Sequence, residues 1–155
     1  MGVGKTTTGQ CLKKRLMNSV FLDGDWCWDM NPFQVTLESK KMVIENISFL
    51  LDNFIKCSLY ENVIFCWVLD EKTIIDDILK RIDTRNCQIY LVSLICDEIS
   101  LRERLEKDVK IGMRSEDIID KSIKRLHKYN LLETRKIDVS NIMPAEAAEI
   151  ILTSK

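Results

Sequence analysis

The first seven residues constrain this chain most: Met1-Gly2-Val3-Gly4-Lys5-Thr6-Thr7, followed at once by helix-forming sequence. Two glycines one residue apart let the backbone curl through conformations that other residues adopt only with strain. Successive N–H groups can then point into one concavity. A helix starting directly after the curl adds its own unpaired N–H groups and the positive end of its dipole. A lysine and hydroxyl residues at that junction complete a surface suited to a polyanion. Such a feature belongs on a loop between a strand and a helix N-terminus.

The rest of the chain alternates helical and strand patterns. Residues 6–18 read as a helix with Cys11, Leu12 and Leu16 on its apolar side. Ser19–Asp23 reads as a short strand ending in an acidic turn. Residues 36–57 form a long amphipathic pattern in which Val43, Ile47, Leu50, Leu51, Phe54 and Ile55 recur at helical spacing. The apolar runs 62–69 and 88–96 predict strands buried on both faces, as in a parallel sheet. Helices are expected at 72–83, at 100–107, at 116–130 with Ser115 as its cap, and from Pro144 onward. A polar loop is expected at 108–114 and a last short strand at 135–139. The fold class is therefore α/β, a three-layer αβα arrangement with a mainly parallel sheet.

Length and charge narrow the function. At 155 residues the chain is expected to be a single domain, 1–155. Lys and Arg total 23 against 24 Asp and Glu, which gives no global drive toward nucleic acid or an anionic membrane. No membrane-spanning run or apolar signal-peptide core is present. The six cysteines, Cys11, Cys27, Cys57, Cys66, Cys87 and Cys96, contain no C-x-x-C pair, and the single histidine is His127. That pattern does not make a zinc site. It predicts buried free thiols in a reducing compartment, and so a cytoplasmic protein.

The opening heptad matches the second half of a Walker A motif, G-x-x-x-x-G-K-[ST], and here the chain resembles the P-loop kinases of the P-loop NTPase superfamily. Gluconate, shikimate, adenylylsulfate and nucleoside-monophosphate kinases share this order of elements, and an AAA-family ATPase is the neighbouring assignment. The resemblance implies that Gly2, Val3, Gly4, Lys5, Thr6 and Thr7 hold ATP, with Lys5 on the β- and γ-phosphates and Thr6 on Mg²⁺. The first glycine of the motif and the strand that carries the loop would lie before Met1.

Leu22-Asp23-Gly24-Asp25-Trp26 resembles the D-G-D element of gluconate-kinase-like and adenylylsulfate-kinase-like enzymes. Carried over, Asp23 is a general base or Mg²⁺ partner, and Asp25 positions the acceptor. Trp26 and Trp28 are candidate walls of an acceptor pocket or plugs at a sheet edge. Asp70-Glu71, after the apolar run 62–69, imitates a Walker B pair but reads more readily as an acidic turn.

Leu101-Arg102-Glu103-Arg104-Leu105 and Arg114 resemble the mobile arginine-bearing lid of nucleoside-monophosphate and shikimate-type kinases, placed here at 101–115. The resemblance implies that Arg104 stacks on adenine and Arg114 reaches the phosphates. Asp138-Val139-Ser140-Asn141 falls where such kinases wrap the adenine base. The expected activity is ATP-dependent phosphoryl transfer to a small-molecule hydroxyl or a nucleotide phosphate. A nucleotide-binding ATPase, or a P-loop protein without kinase activity, is the alternative.

Overall fold

A computed structural model describes residues 2–153, so Met1 of the opening heptad lies outside the described residues. The chain divides into two compact units, Met1–Thr8 with Tyr90–Lys155, and Gly9–Ile89.

The unit Gly9–Ile89 contains most of helix α1 (Lys5–Arg15), strand β1 (Ser19–Asp23), a 3₁₀ turn (Gly24–Trp28), helix α2 (Leu37–Lys56), strand β2 (Asn62–Cys66) and helix α3 (Lys72–Arg81). β1 and β2 pair in parallel, from Ser19 opposite Asn62 to Asp23 opposite Cys66. Thr36 starts α2 with a capping box: its hydroxyl accepts the Ser39 N–H at 3.0 Å, and the Thr36 N–H reaches Ser39 Oγ at 2.8 Å. The helical spacing read from sequence then becomes a core. Val43, Ile47 and Leu51 of α2 are buried with Leu22 of β1 and Ile78 of α3. Ile47 is completely buried, and its truncation to alanine would cost about 2–5 kcal/mol. Gly9 lies inside α1, where glycine is a poor helix former. A Cβ there would come within 2.3 Å of the Phe21 ring, so close packing of α1 on β1 requires it.

The second unit contains strand β3 (Val92–Ile95), helix α4 (Glu98–Lys110), short helices α5 (Ile118–Ile123) and α6 (Leu126–Asn130), strand β4 (Arg135–Asp138) and helix α7 (Pro144–Thr153). β3 and β4 are parallel, from Val92 opposite Arg135 to Ile95 opposite Asp138. Ile137, Val139 and Ala147 form its core, with Val3, Val92, Leu94 and Ile151 packed around them. Leu101 and Leu105 of α4 are buried.

Parallel strands between helices bear out the α/β expectation, while several boundaries differ. The strand expected over 62–69 stops at Cys66, because its partner ends there: Asp23, opposite Cys66, turns into the 3₁₀ segment and leaves Trp67 without a ladder neighbour. The run 88–96 forms a strand only over Val92–Ile95, and Ile89, Tyr90 and Leu91 are exposed. The strands are half-buried rather than fully buried along most of their length, as expected where each sheet has two strands and both are edges. The basic helix expected over 100–107 runs over Glu98–Lys110: Asp97 caps its start, accepting the Ser100 N–H at 2.7 Å, and its end takes in the first residues of the loop expected at 108–114.

The helix expected over 116–130 is broken in two. Around the break the bonds tighten to three-residue spacing, from Arg125 N–H to Ser122 and from Lys128 N–H to Arg125. Ser115 donates to the Asp117 carboxylate instead of capping. None of the six cysteines forms a disulfide among the described residues, but five are half-buried and Cys87 is exposed, which corrects the expectation of buried thiols. Among the described residues, no helix is long and apolar enough to cross a membrane.

Candidate functional site

The glycine loop has the geometry its sequence predicts. Gly2 and Gly4 take φ of +78° and +87°, and α1 begins at Lys5. The two glycines are needed for different reasons. At Gly2 a Cβ would lie 2.8 Å from Leu105 Cδ2 and 3.0 Å from Leu101 Cδ1, so the loop sits tight against α4. At Gly4 only Pro144 Cγ comes near, at 3.8 Å. The constraint there is the left-handed backbone, and the space beside it is open.

That space is a cavity of about 180 Å³. Gly2, Val3, Gly4 and Thr8 form one wall, while Arg104 and the segment Val139 to Pro144 form the other. Thr8 is buried, and Thr6 and Thr7 at the helix start are exposed. Pro144 opens α7 at the cavity rim, where a first-turn proline leaves no N–H unmet.

A polar network holds the segment after β4. Arg104 donates to the carbonyls of Val139 at 2.5 Å and Ser140 at 3.1 Å. Ser140 accepts the Asp97 N–H at 2.9 Å and donates its hydroxyl to Asp138 at 2.6 Å. Hydrogen bonds from Ser100 and Ser140 hold the Asp97 carboxyl below its ordinary range, and those from Ser140 do the same for Asp138. Burial pushes the Cys96 thiol up, partly opposed by the Arg104 charge. Arg104 therefore touches the segment expected to wrap adenine, through its carbonyls. Arg114, beyond the Gly112 turn, lies 3.0 Å from Asp108 and closes the end of α4.

The other unit holds the acidic and aromatic candidates. Asp23 is buried at the end of β1, and its carboxylate accepts the Asp25 N–H at 3.0 Å, starting the 3₁₀ turn. Gly24 is fixed by Trp67, whose ring would lie 2.4 Å from a Cβ at that position. The Asp-Gly pair is thus a packing requirement as well as a turn. Trp26 is exposed and meets Phe21 edge-on at 5.5 Å. Trp28 is half-buried between Phe33 at 5.7 Å and Trp67 at 6.2 Å, packed against the core. Burial raises the Cys27 thiol. Asp70 is buried four residues past the end of β2, and Glu71 sits at the N-terminus of α3 without a side-chain cap. The pair does not follow the strand directly, as a Walker B reading expects.

Several contributors to this geometry escaped the sequence reading. Leu101 and Leu105 under Gly2, and Ile142 and Met143 beside the loop, look like ordinary core residues in sequence. Asp97 carried a legible signal, an acid followed three residues later by Ser100 at a helix start.

A family model described as an AAA domain matches residues 1–125. The solved structure of the tunicamycin resistance protein from Deinococcus radiodurans aligns with TM-score 0.70 and 16% identity, covering 98% of this chain and 88% of that one. A gluconokinase from Sinorhizobium meliloti 1021 aligns with TM-score 0.66 and 16% identity, covering 100% and 93%. No curated protein sequence matches. The likeness to these structures bears out the P-loop kinase-type fold that the glycine loop implies.

Proposed function

This chain belongs to the AAA-domain family, and on that premise we propose that it transfers the γ-phosphoryl group of ATP to a small-molecule hydroxyl or a nucleotide phosphate. The observation that carries this reading is the pair of left-handed glycines feeding α1 beside a cavity. The backbone of Gly2 to Thr7 offers N–H groups to the phosphates, and Lys5 neutralises the β- and γ-oxygens. The cavity between the loop and the segment after β4 takes the base, and Arg104 fixes its far wall. A gluconokinase among the similar structures fits the same reaction type.

The donor set also fits Mg²⁺. Among the described residues no three His, Cys, Asp or Glu side chains gather as a metal cage. Mg²⁺ is commonly held by one or two side chains plus substrate phosphates, and the Thr6 hydroxyl is the side chain offered here. Bound there, the ion would supply charge neutralisation on the phosphates.

Transfer forms a bond from an acceptor oxygen to the γ-phosphorus as the bond to the β–γ bridging oxygen breaks. The bridging oxygen leaves with ADP and keeps the electron pair. Asp23 takes the acceptor proton, and Asp25, Trp26 and Trp28 orient the acceptor. Arg114 in the lid segment 101–115 balances charge on the phosphates when it exchanges its Asp108 partner.

An ADP-release assay with and without hydroxyl acceptors tests the reading. ADP that depends on an acceptor, with label from [γ-³²P]ATP appearing on it, supports a kinase. Acceptor-independent ADP that Glu71→Gln abolishes would replace it with an ATPase. No binding of Mg-ATP would remove both.

A further inference from the structure

The far wall of the cavity beside the glycine loop has most of its backbone polar groups already engaged. That wall is the segment Val139 to Pro144, in the same compact unit as Gly2 to Thr8. The Val139 N–H donates to the Ile95 carbonyl at 2.8 Å, and the Ser140 N–H donates to the Asp138 carboxylate at 2.9 Å. The Met143 N–H donates to the Glu146 carboxylate at 2.6 Å, and the Met143 carbonyl accepts from Glu146 at 2.9 Å and Ala147 at 3.0 Å. Pro144 has no N–H to offer. The carbonyls of Val139 and Ser140 both accept from one nitrogen of Arg104, Nη2. Ile142 also lines the cavity, and its backbone makes none of these bonds.

The side chains add little that could read the edge of a base. Val3, Val139, Ile142, Met143, Pro144 and Ala147 are apolar, and the polar ones are Thr8 and Arg104. Thr8 belongs to the phosphate end, one turn into α1, with its N–H on the Gly4 carbonyl at 2.9 Å. Arg104 is the polar side chain on the other wall, and it can only donate. Adenine and guanine differ most at position 6, where adenine carries an amine donor and guanine a carbonyl acceptor. Open backbone carbonyls would accept the amine and repel the guanine oxygen. Carbonyls covered by a guanidinium do neither, because the cation satisfies them and offsets their charge.

We propose that Arg104, by occupying the Val139 and Ser140 carbonyls, removes discrimination between purines, so that the site takes guanine nucleoside triphosphates about as well as adenine ones. The inference rests on the nucleotide reading of the glycine loop and widens its donor from ATP to purine nucleoside triphosphates. A site discriminates strongly when a buried polar group must find its partner on the ligand. Here the polar groups of Val139, Ser140 and Met143 have partners within the protein, and the apolar lining holds either ring system by burial. The backbone of Ile142 could add one neutral hydrogen bond, which separates two bases by about tenfold at most.

The test is calorimetric titration with Mg²⁺ and no acceptor, using ATP, GTP, ITP and inorganic tripolyphosphate. ITP keeps the position-6 oxygen of guanine without its 2-amine. The expected result is that ATP, GTP and ITP bind within tenfold of one another, and each at least tenfold tighter than tripolyphosphate. Arg104→Ala uncovers the carbonyls, so ATP should then bind more than tenfold tighter than both GTP and ITP. Arg104→Lys keeps a cation at the carbonyls and should hold the three within tenfold. The proposal is overturned if the wild type separates ATP from GTP by more than tenfold in either direction, or if Arg104→Ala weakens all three equally. It is also overturned if ITP follows ATP rather than GTP in Arg104→Ala, since the 2-amine would then be the cause. Should Arg104→Ala fail to fold, the wild-type series and Arg104→Lys still decide. Purine nucleotides that bind no tighter than tripolyphosphate would overturn the proposal while keeping the glycine loop as a phosphate site. Binding by none of the four would remove the glycine-loop reading as well.

Discussion

The glycine-loop unit and the aromatic unit build their candidate sites in opposite ways. In the first, the ligand-facing surface is mainly backbone held in place: two left-handed glycines, two leucines packed under Gly2, and carbonyls held by Arg104. Its polar side chains bond to one another and to the main chain, from Asp97 through Ser140 to Asp138. In the second, the surface is side chains. Phe33 and Trp26 stand largely exposed, and residues 16–39 carry four carboxylates and no Lys, Arg or His. The contrast shows where specificity resides. A fixed backbone cradle suits a ligand that a whole family shares, whereas exposed rings and charges are easily exchanged to suit one acceptor.

Variants can break or sharpen this division. The largest effect is expected from Asp23→Asn, which should lower acceptor phosphorylation by about 10²- to 10⁴-fold. Calorimetry should show Mg-ATP affinity within threefold of wild type. A matching loss of ATP affinity would mean that the acidic turn serves the nucleotide as well. Arg104→Ala should act in the opposite sense. Losing its carbonyl bonds should weaken Mg-ATP binding about tenfold, since hydrogen bonds from a charged donor contribute roughly 1.5–3 kcal/mol. Fluorescence titration with an acceptor probe should be unchanged, and Arg104→Lys should restore part of the ATP affinity.

The smallest effect concerns acid stability. Ser140 helps lower the pKa of both Asp97 and Asp138. Carboxyls lowered on folding stabilise the fold above their unfolded pKa, about 4, and that contribution is lost as pH falls through the folded values. Ser140→Ala should therefore lower the melting temperature at pH 6, with a difference from wild type that shrinks toward pH 3. A difference that grows on acidification would show that the network does not act through these carboxylates.

Sequence periodicity was a good guide wherever local spacing decides structure. The buried face of α2, with Val43, Ile47 and Leu51, and the limits of β1 were legible from it. What escaped depends on partners distant in the chain. β2 ends at Cys66 because β1 ends at Asp23, and no pattern within 62–69 records that. The exposed residues Ile89 to Leu91 read as strand because apolar content alone does not reveal a missing neighbour. In the site, the glycine loop was legible because its chemistry is local. The carbonyl partners of Arg104 were not, since they come from the far side of β4. The packing role of Gly24 was not legible either, since the Trp67 ring that excludes a side chain there lies 43 residues along the chain.

The most direct test of the central claim is calorimetric titration of Mg-ATP into the wild-type chain and Lys5→Ala side by side. The glycine-loop reading predicts saturable binding by the wild type and at least a tenfold loss in Lys5→Ala. Equal affinity in the two proteins would contradict it.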